Sequence, residues 1–230
     1  MTTARGSYHH GDLHAALVDA GVALAREAGA PAVVLREVTR RAGVTPRAAY
    51  RHFADRAALL GAVARVSLAA MARTVEDRLV AAEDGAAALT AVGEGYVRFA
   101  LDEPGLFEVA LFAMDDMAVV DHPEAAGAGG RSPYHQLQDA LARLVAEGRL
   151  DGAAVEGAAL TCWSGVHGYA TLAALGPLRS LPRAQRDAGA VAVVARLVGA
   201  VVSTGTAPGG ERVGPEQRAP EQVGPEHASS

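Results

Sequence analysis

The segment Gly43-Val44-Thr45-Pro46 constrains this chain more than any other, because it ends one helical pattern and starts another within four residues. Before it, Leu35, Val38 and Ala42 recur at i, i+3 and i+7, the apolar stripe of a short helix. Gly43 stands where a helix most often ends in a left-handed residue, a conformation glycine adopts without steric cost. Thr45 is the predicted N-cap of a second helix and Pro46 its first residue, where a missing N–H does no harm. Ala49 and Phe53, four apart, predict an inward face, while Arg47, Tyr50 and Arg51 share another. Two short helices across a tight turn, with cations outside the second, have the layout of a helix-turn-helix, whose second helix enters the DNA major groove.

Charge sharpens that reading. Arg36 and Arg40 form a like-charge i, i+4 pair on the first helix, a small penalty that a polyanion would relieve. The alternative is a solvated face on which Glu37 and Arg41 pair at i, i+4. The net charge of −5 argues against nucleic acid, but it is unevenly spread. Residues 1–60 hold eight arginines against five acids, whereas residues 61–230 hold thirteen against twenty-one. A basic head therefore precedes an acidic body that repels DNA.

All 21 basic residues are arginine, and lysine, asparagine and isoleucine are absent, a bias we attribute to a GC-rich coding sequence. The single cysteine, Cys162, excludes an internal disulfide and fits a reducing cytosol. No apolar core of signal-peptide type opens the chain, and the late apolar stretch 188–202 is interrupted by Arg196 and too short for a bilayer. These features predict a soluble cytoplasmic protein with no membrane partner.

Helical periodicity predicts helices over 11–28, 34–55 (two, with the turn), 56–82, 86–101, 134–147, 153–175 and 183–203, with a short apolar segment at 106–114 and a Gly/Pro-rich loop at 121–133. No β-type alternation stands out, so the expected fold is all-α. The expected organisation is a DNA-binding head (1–60), a helical body (61–203) and a tail (204–230). In the tail Val213-Gly214-Pro215-Glu216 recurs as Val223-Gly224-Pro225-Glu226, a composition that builds no core and predicts disorder.

The first 60 residues resemble the TetR/AcrR family of bacterial transcriptional regulators, through Leu35-Arg36-Glu37-Val38, Ala42-Gly43-Val44-Thr45, Tyr50-Arg51-His52-Phe53 and Asp55-Arg56-Ala57-Ala58-Leu59-Leu60. Trp163-Ser164-Gly165-Val166-His167-Gly168 is similar to the Trp-His-Gly (WHG) signature of one subgroup. The resemblance implies a cytoplasmic homodimer with a three-helix head on an operator and a larger domain for dimerisation and a small-molecule effector. It implies phosphate contacts for Tyr50 and His52, and for Arg56, which stands where the family usually has lysine. It also puts Arg36, Thr45, Arg47 and Ala48 near base edges, where Arg47 can pair bidentately with guanine. Val34 replaces the usual Ser or Thr cap, and Ala48 removes a hydrogen-bonding side chain from a reading position.

In the body, Trp163, His167 and Ala170 fall on one helical face. Either Trp163 is a flat apolar wall and His167 a single polar group of a ligand pocket, or both are core. Phe99, Phe107, Phe112 and Met114 are candidates for the same cavity, with core as the competing role. His122, His135 and Asp115-Asp116 match no standard metal spacing, and no cofactor is expected. With no nucleophile elbow, phosphate loop or paired carboxylates, an enzyme is not expected. The competing class is a helical scaffold or a small-molecule-binding protein with no role on DNA.

Overall fold

The computed structural model describes residues 10–112 and 121–205. They form nine helices: α1 (His10–Ala28), α2 (Leu35–Ala42), α3 (Pro46–Ala49), α4 (Arg56–Leu79), α5 (Gly85–Asp102), α6 (Pro104–Phe112), α7 (Pro133–Ala146), α8 (Val155–Ala174) and α9 (Arg183–Gly205). No strand occurs among the described residues, so the chain is all-α.

Side-chain caps set the starts of three helices. Asp55 accepts from the Ala58 amide at 2.8 Å and opens α4, and Asp84 accepts from Ala87 at 2.7 Å and opens α5. Ser132 does the same for α7, followed by Pro133. Asp151 instead caps a single 3-10 turn, Gly152–Ala154, which is why α8 begins at Val155 and not at 153. The apolar segment expected at 106–114 is a helix, α6, begun two residues earlier by Pro104. Gly105 lets α6 press against α1, since a Cβ there would collide with the Ala25 carbonyl oxygen. At its other end α9 runs to Gly205, past the expected start of the tail; the remaining tail lies outside the described residues.

The head and body share one core. A continuous buried cluster runs from Leu17, Val38 and Phe53 through Leu59, Val63 and Met71 to Tyr96, Phe107 and Val194. A second cluster joins α5, α7 and α8 around Leu89, Leu141 and Leu144. The 24-residue α4 passes from the head into the body, and α5 packs against α4, α7, α8 and α9. By length and apolarity alone α4 could cross a bilayer, but 56% of its most apolar window is buried among other helices.

Candidate nucleic-acid interface and ligand cavity

The turn between α2 and α3 forms as its residues dictate. Gly43 caps α2 in the left-handed region, with φ 68° and ψ 28°. Pro46 opens α3, which has one α-helical turn and is continued by the bonds Tyr50 N–H to Pro46 C=O at 3.0 Å and Phe53 N–H to Ala49 C=O at 2.9 Å. Ala49 and Phe53 are buried, with the His14 ring of α1 4.8 Å from that of Phe53. Thr45 occupies the N-cap position as expected, yet its hydroxyl makes no capping bond and the residue is exposed. Val34 starts α2 likewise without a side-chain cap.

The arginines of the head divide into two sets. Arg41 is gripped by Glu27 of α1 through two 2.6 Å bonds, and Arg40 pairs with Glu37 at 2.9 Å. The Glu37–Arg41 pair of the solvated-face alternative does not form, because α1 brings a carboxylate to Arg41 that sequence spacing does not reveal. The bond from Arg41 holds the Glu27 carboxyl below its ordinary range. Arg36, Arg47 and Arg51 are exposed and meet no carboxylate among the described residues. Tyr50 beside them is 58% exposed, while Ala48 and His52 are half-buried. Arg36 on α2 and Arg47, Tyr50 and Arg51 on α3 and its continuation are thus open to solvent, the three guanidiniums without a carboxylate partner among the described residues.

Arg56 does something else. Its Nε donates to the Val33 carbonyl at 2.9 Å and one terminal nitrogen to the Ala30 carbonyl at 2.7 Å. The same turn is held from the opposite side by Glu108 of α6, which accepts from the Ala30 amide at 3.0 Å. The segment between α1 and α2 is therefore clamped by charged side chains from α4 and α6.

Within the body, α4, α5, α7, α8 and α9 enclose a cavity of about 50 Å³. Leu68 and Met71 come from α4, Val92 and Tyr96 from α5, Tyr134 and Leu137 from α7, Cys162, Trp163 and Val166 from α8, and Val194 and Leu197 from α9. No residue charged at neutral pH lies on this wall. Of the residues the sequence singled out, Trp163 lines it directly, with its ring centroid 5.5 Å from that of Tyr134. His167 stands just behind, its Nδ1 2.8 Å from the Tyr96 hydroxyl oxygen. Phe107 is fully buried and meets Tyr96 edge-on at 5.8 Å, so it supports the wall from behind. Phe99 is buried in the main core and is not part of the wall. The side chain of Phe112, and Met114 entirely, lie outside the described residues, as do Asp115 and Asp116.

Burial governs the titration of this region. It pushes the Tyr96 phenol well above its ordinary range, with hydrogen bonding from Trp163 opposing part of the effect. It lowers His167, which is therefore a neutral imidazole at pH 7. It raises the Cys162 thiol to about 11, so that side chain is a protonated, apolar element of the wall and not a nucleophile. Elsewhere, His135 sits between the Ser132 hydroxyl (2.9 Å) and Asp121 (3.2 Å), and His122 accepts from the Glu124 amide; no group of three metal-ligating side chains converges among the described residues.

Residues 17–63 match the family described as bacterial regulatory proteins of the tetR family, and residues 89–209 match the tetracyclin repressor-like C-terminal domain. The chain belongs to the TetR family. Solved structures agree with this in fold. A protein from Rhodococcus sp. RHA1 superposes with TM-score 0.67 at 25% identity, covering 86% of this chain and 100% of that one. A TetR-family transcriptional regulator from Pectobacterium atrosepticum gives 0.64 at 20% identity over 86% and 98%. RolR, solved with resorcinol, gives 0.59 at 19% identity over 86% and 95%. No curated protein shows significant similarity to the sequence. Family membership makes this TetR-family chain a DNA-binding transcriptional regulator in kind, with α1–α3 as its helix-turn-helix head.

The sequence missed Tyr96, Leu68 and Met71 as wall residues and Glu108 as a clamp. Tyr96 alone carried a signal, as the one polar aromatic in the apolar stripe of α5.

Proposed function

We propose that the chain is a one-component repressor that binds a palindromic operator as a homodimer and releases it when a small molecule enters the body cavity. The observation that carries this reading is the reach of α4. The same helix supplies Leu68 and Met71 to the cavity wall and, through Arg56, holds the turn leading into α2. A ligand that displaces Leu68 or Met71 would shift α4 and so reposition α2 and α3. Coupling of this kind requires that the ligand bind one head position better than the other; equal affinity would move nothing.

In this reading Arg36, Thr45, Arg47 and Ala48 face base edges, with Arg47 as the guanine-reading side chain, and Tyr50, Arg51 and His52 contact the phosphates. Arg56 has two donors engaged by backbone carbonyls and serves the position of the head more than direct contact with DNA. Self-association is supported by apolar side chains left open on α8 and α9: Leu160 is 62%, Leu172 46% and Val191 54% exposed. A two-fold dimer would present two heads to successive major grooves, so the operator would be a palindrome.

Selection from random duplex DNA with the purified protein at moderate salt tests the proposal. Recovery of an enriched inverted repeat is the expected result, and recovery of no enriched sequence would overturn it in favour of a scaffold or binding protein.

A further inference from the structure

The Gly/Pro-rich segment 121–132 supplies no residue to the cavity wall, yet it is fastened along α4 over the stretch that joins cavity and head. Arg65 of α4 pairs with Glu124 at 2.7 Å. Leu68 packs with Ala125, which is fully buried. The Ala72 carbonyl accepts from the Gln136 side chain, in the first turn of α7, at 3.1 Å. Glu76 accepts from the amides of Ala128 and Gly129 at 3.0 and 2.9 Å. These positions follow at i, i+3, i+7 and i+11, a single stripe of α4 about 16 Å long.

The glycines of the segment fit this fastening. A Cβ on Gly127 would lie 2.3 Å from Oε1 of Glu76, and one on Gly129 3.2 Å from it. Their absence lets the backbone close on the carboxylate, a fit that a mere connection does not need. Resting on the reading of the chain as an operator-binding repressor, we propose that Glu76 and Glu124 are positioning residues for DNA binding. Through this strap they hold α4, and with it the head, in the placement that fits the operator.

The direction follows from the cavity. Leu68 touches both the strap and the cavity, which measures only about 50 Å³. A cavity that admits benzene is roughly 150 Å³. The strapped arrangement is therefore the one without effector, and in the repressor reading the one that binds DNA. An effector that makes room by moving Leu68 works against Ala125 and the two carboxylates that anchor the strap. A loosened strap lets α4 adopt placements in which the head does not fit, and apparent affinity falls with the competent fraction. Both heads of a homodimer must fit at once, so halving that fraction in each protomer weakens binding about fourfold. Electrostatics alone predicts the opposite sign. Both residues are acidic, and removing negative charge strengthens attraction to phosphates. Glu124→Gln also frees the Arg65 guanidinium, which adds to that attraction.

The test is the affinity of the full chain, at fixed salt, for the duplex recovered by selection. Glu76→Ala and Glu124→Gln are each expected to raise Kd about threefold or more. Glu76→Gln keeps one acceptor oxygen and should recover most of the loss. Asp139→Asn removes a negative charge and the Arg131 ion pair but no contact with α4, so it should bind no more weakly than the unaltered chain. Helical circular dichroism establishes that each variant is folded at the assay temperature. Should Glu76→Ala fail to fold, hydrogen exchange of the unaltered chain supplies the second arm. By reciprocity, operator binding should slow exchange in peptides covering 122–131 by about twofold or more. Unchanged or tighter operator binding by either variant, an equal loss in Asp139→Asn, or strap exchange indifferent to the operator would overturn the proposal. Recovery of no operator refutes the repressor reading and this role with it, whereas an operator bound equally well by the variants refutes the role alone.

Discussion

Arg47 and Tyr50 sit three residues apart on one exposed face, yet they should fail differently when altered. Arg47→Ala is expected to relax sequence preference at one position in each half-site, a loss of about 1–3 kcal/mol confined to operators with the preferred base. Tyr50→Phe should weaken binding to all operators alike, because a phosphate contact carries no sequence information. Measuring both variants across an operator library checks the division; uniform loss for Arg47→Ala would refute its reading role. Gly43→Ala is a third case at this scale. Space is open around Gly43, so the penalty is conformational only, about 1–2 kcal/mol for a left-handed φ of 68°. That should lower the melting temperature by about 2–8 °C in a thermal scan of a chain this size. The residue scale was the most legible in the sequence where the chemistry is local. Gly43 and Pro46 behave as their backbone preferences require. Thr45 and Arg41 do not follow the local rule, since a capping bond and an ion-pair partner depend on where neighbouring chain lies.

Helices α4 and α6 act on the head through side chains that no helical pattern marks. Glu108 follows the fully buried Phe107, and the pair connects the Tyr96–His167 end of the cavity to the Ala30 amide. Glu108→Ala should leave effector affinity, read from the fluorescence of the single tryptophan, Trp163, within about twofold while reducing effector-driven release of DNA, because the coupling free energy and not the binding site is altered. Glu108→Gln keeps an acceptor and should retain most of the coupling. An Ala variant with full release would show that α6 plays no part. Most helix starts were readable to within two residues, and Asp55, Asp84 and Ser132 cap three of them. Ends were less so, since α3 stops at Ala49 and α4 at Leu79, short of the expected 55 and 82, and at α6 Pro104 reads equally well as a stop signal or a first helical residue.

The molecule as a whole should lose stability on acidification in two stages. Burial lowers the folded-state pKa of His167 below its ordinary 6.5, so the unfolded chain binds that proton first. Its contribution is therefore present above pH 6.5 and is lost as pH falls from there through the lower folded value. Glu27, Glu124 and Asp102, held down by Arg41, Arg65 and Arg183, lose theirs only below about pH 4.5, as the pH falls through their own depressed values. For Asp102 burial opposes the shift and the arginine bonds outweigh it. Thermal unfolding followed from pH 7.5 to 5 should show a decline that His167→Gln flattens; an unchanged slope in that variant would remove His167 as its source.

The all-α class, the helix-turn-helix and the basic head before an acidic body were settled by the sequence alone, because periodicity, turn chemistry and charge count are properties of neighbouring residues. Trp163 too was identifiable as a wall-or-core residue. The choice between wall and core, the arginines left without carboxylates, and the clamp of Arg56 and Glu108 on one turn were decided only by tertiary structure. An apolar side chain reads the same whether it fills a core or borders a cavity. A charge finds its partner by distance in space, which α1 and α6 set by packing against the head and not by their place along the chain.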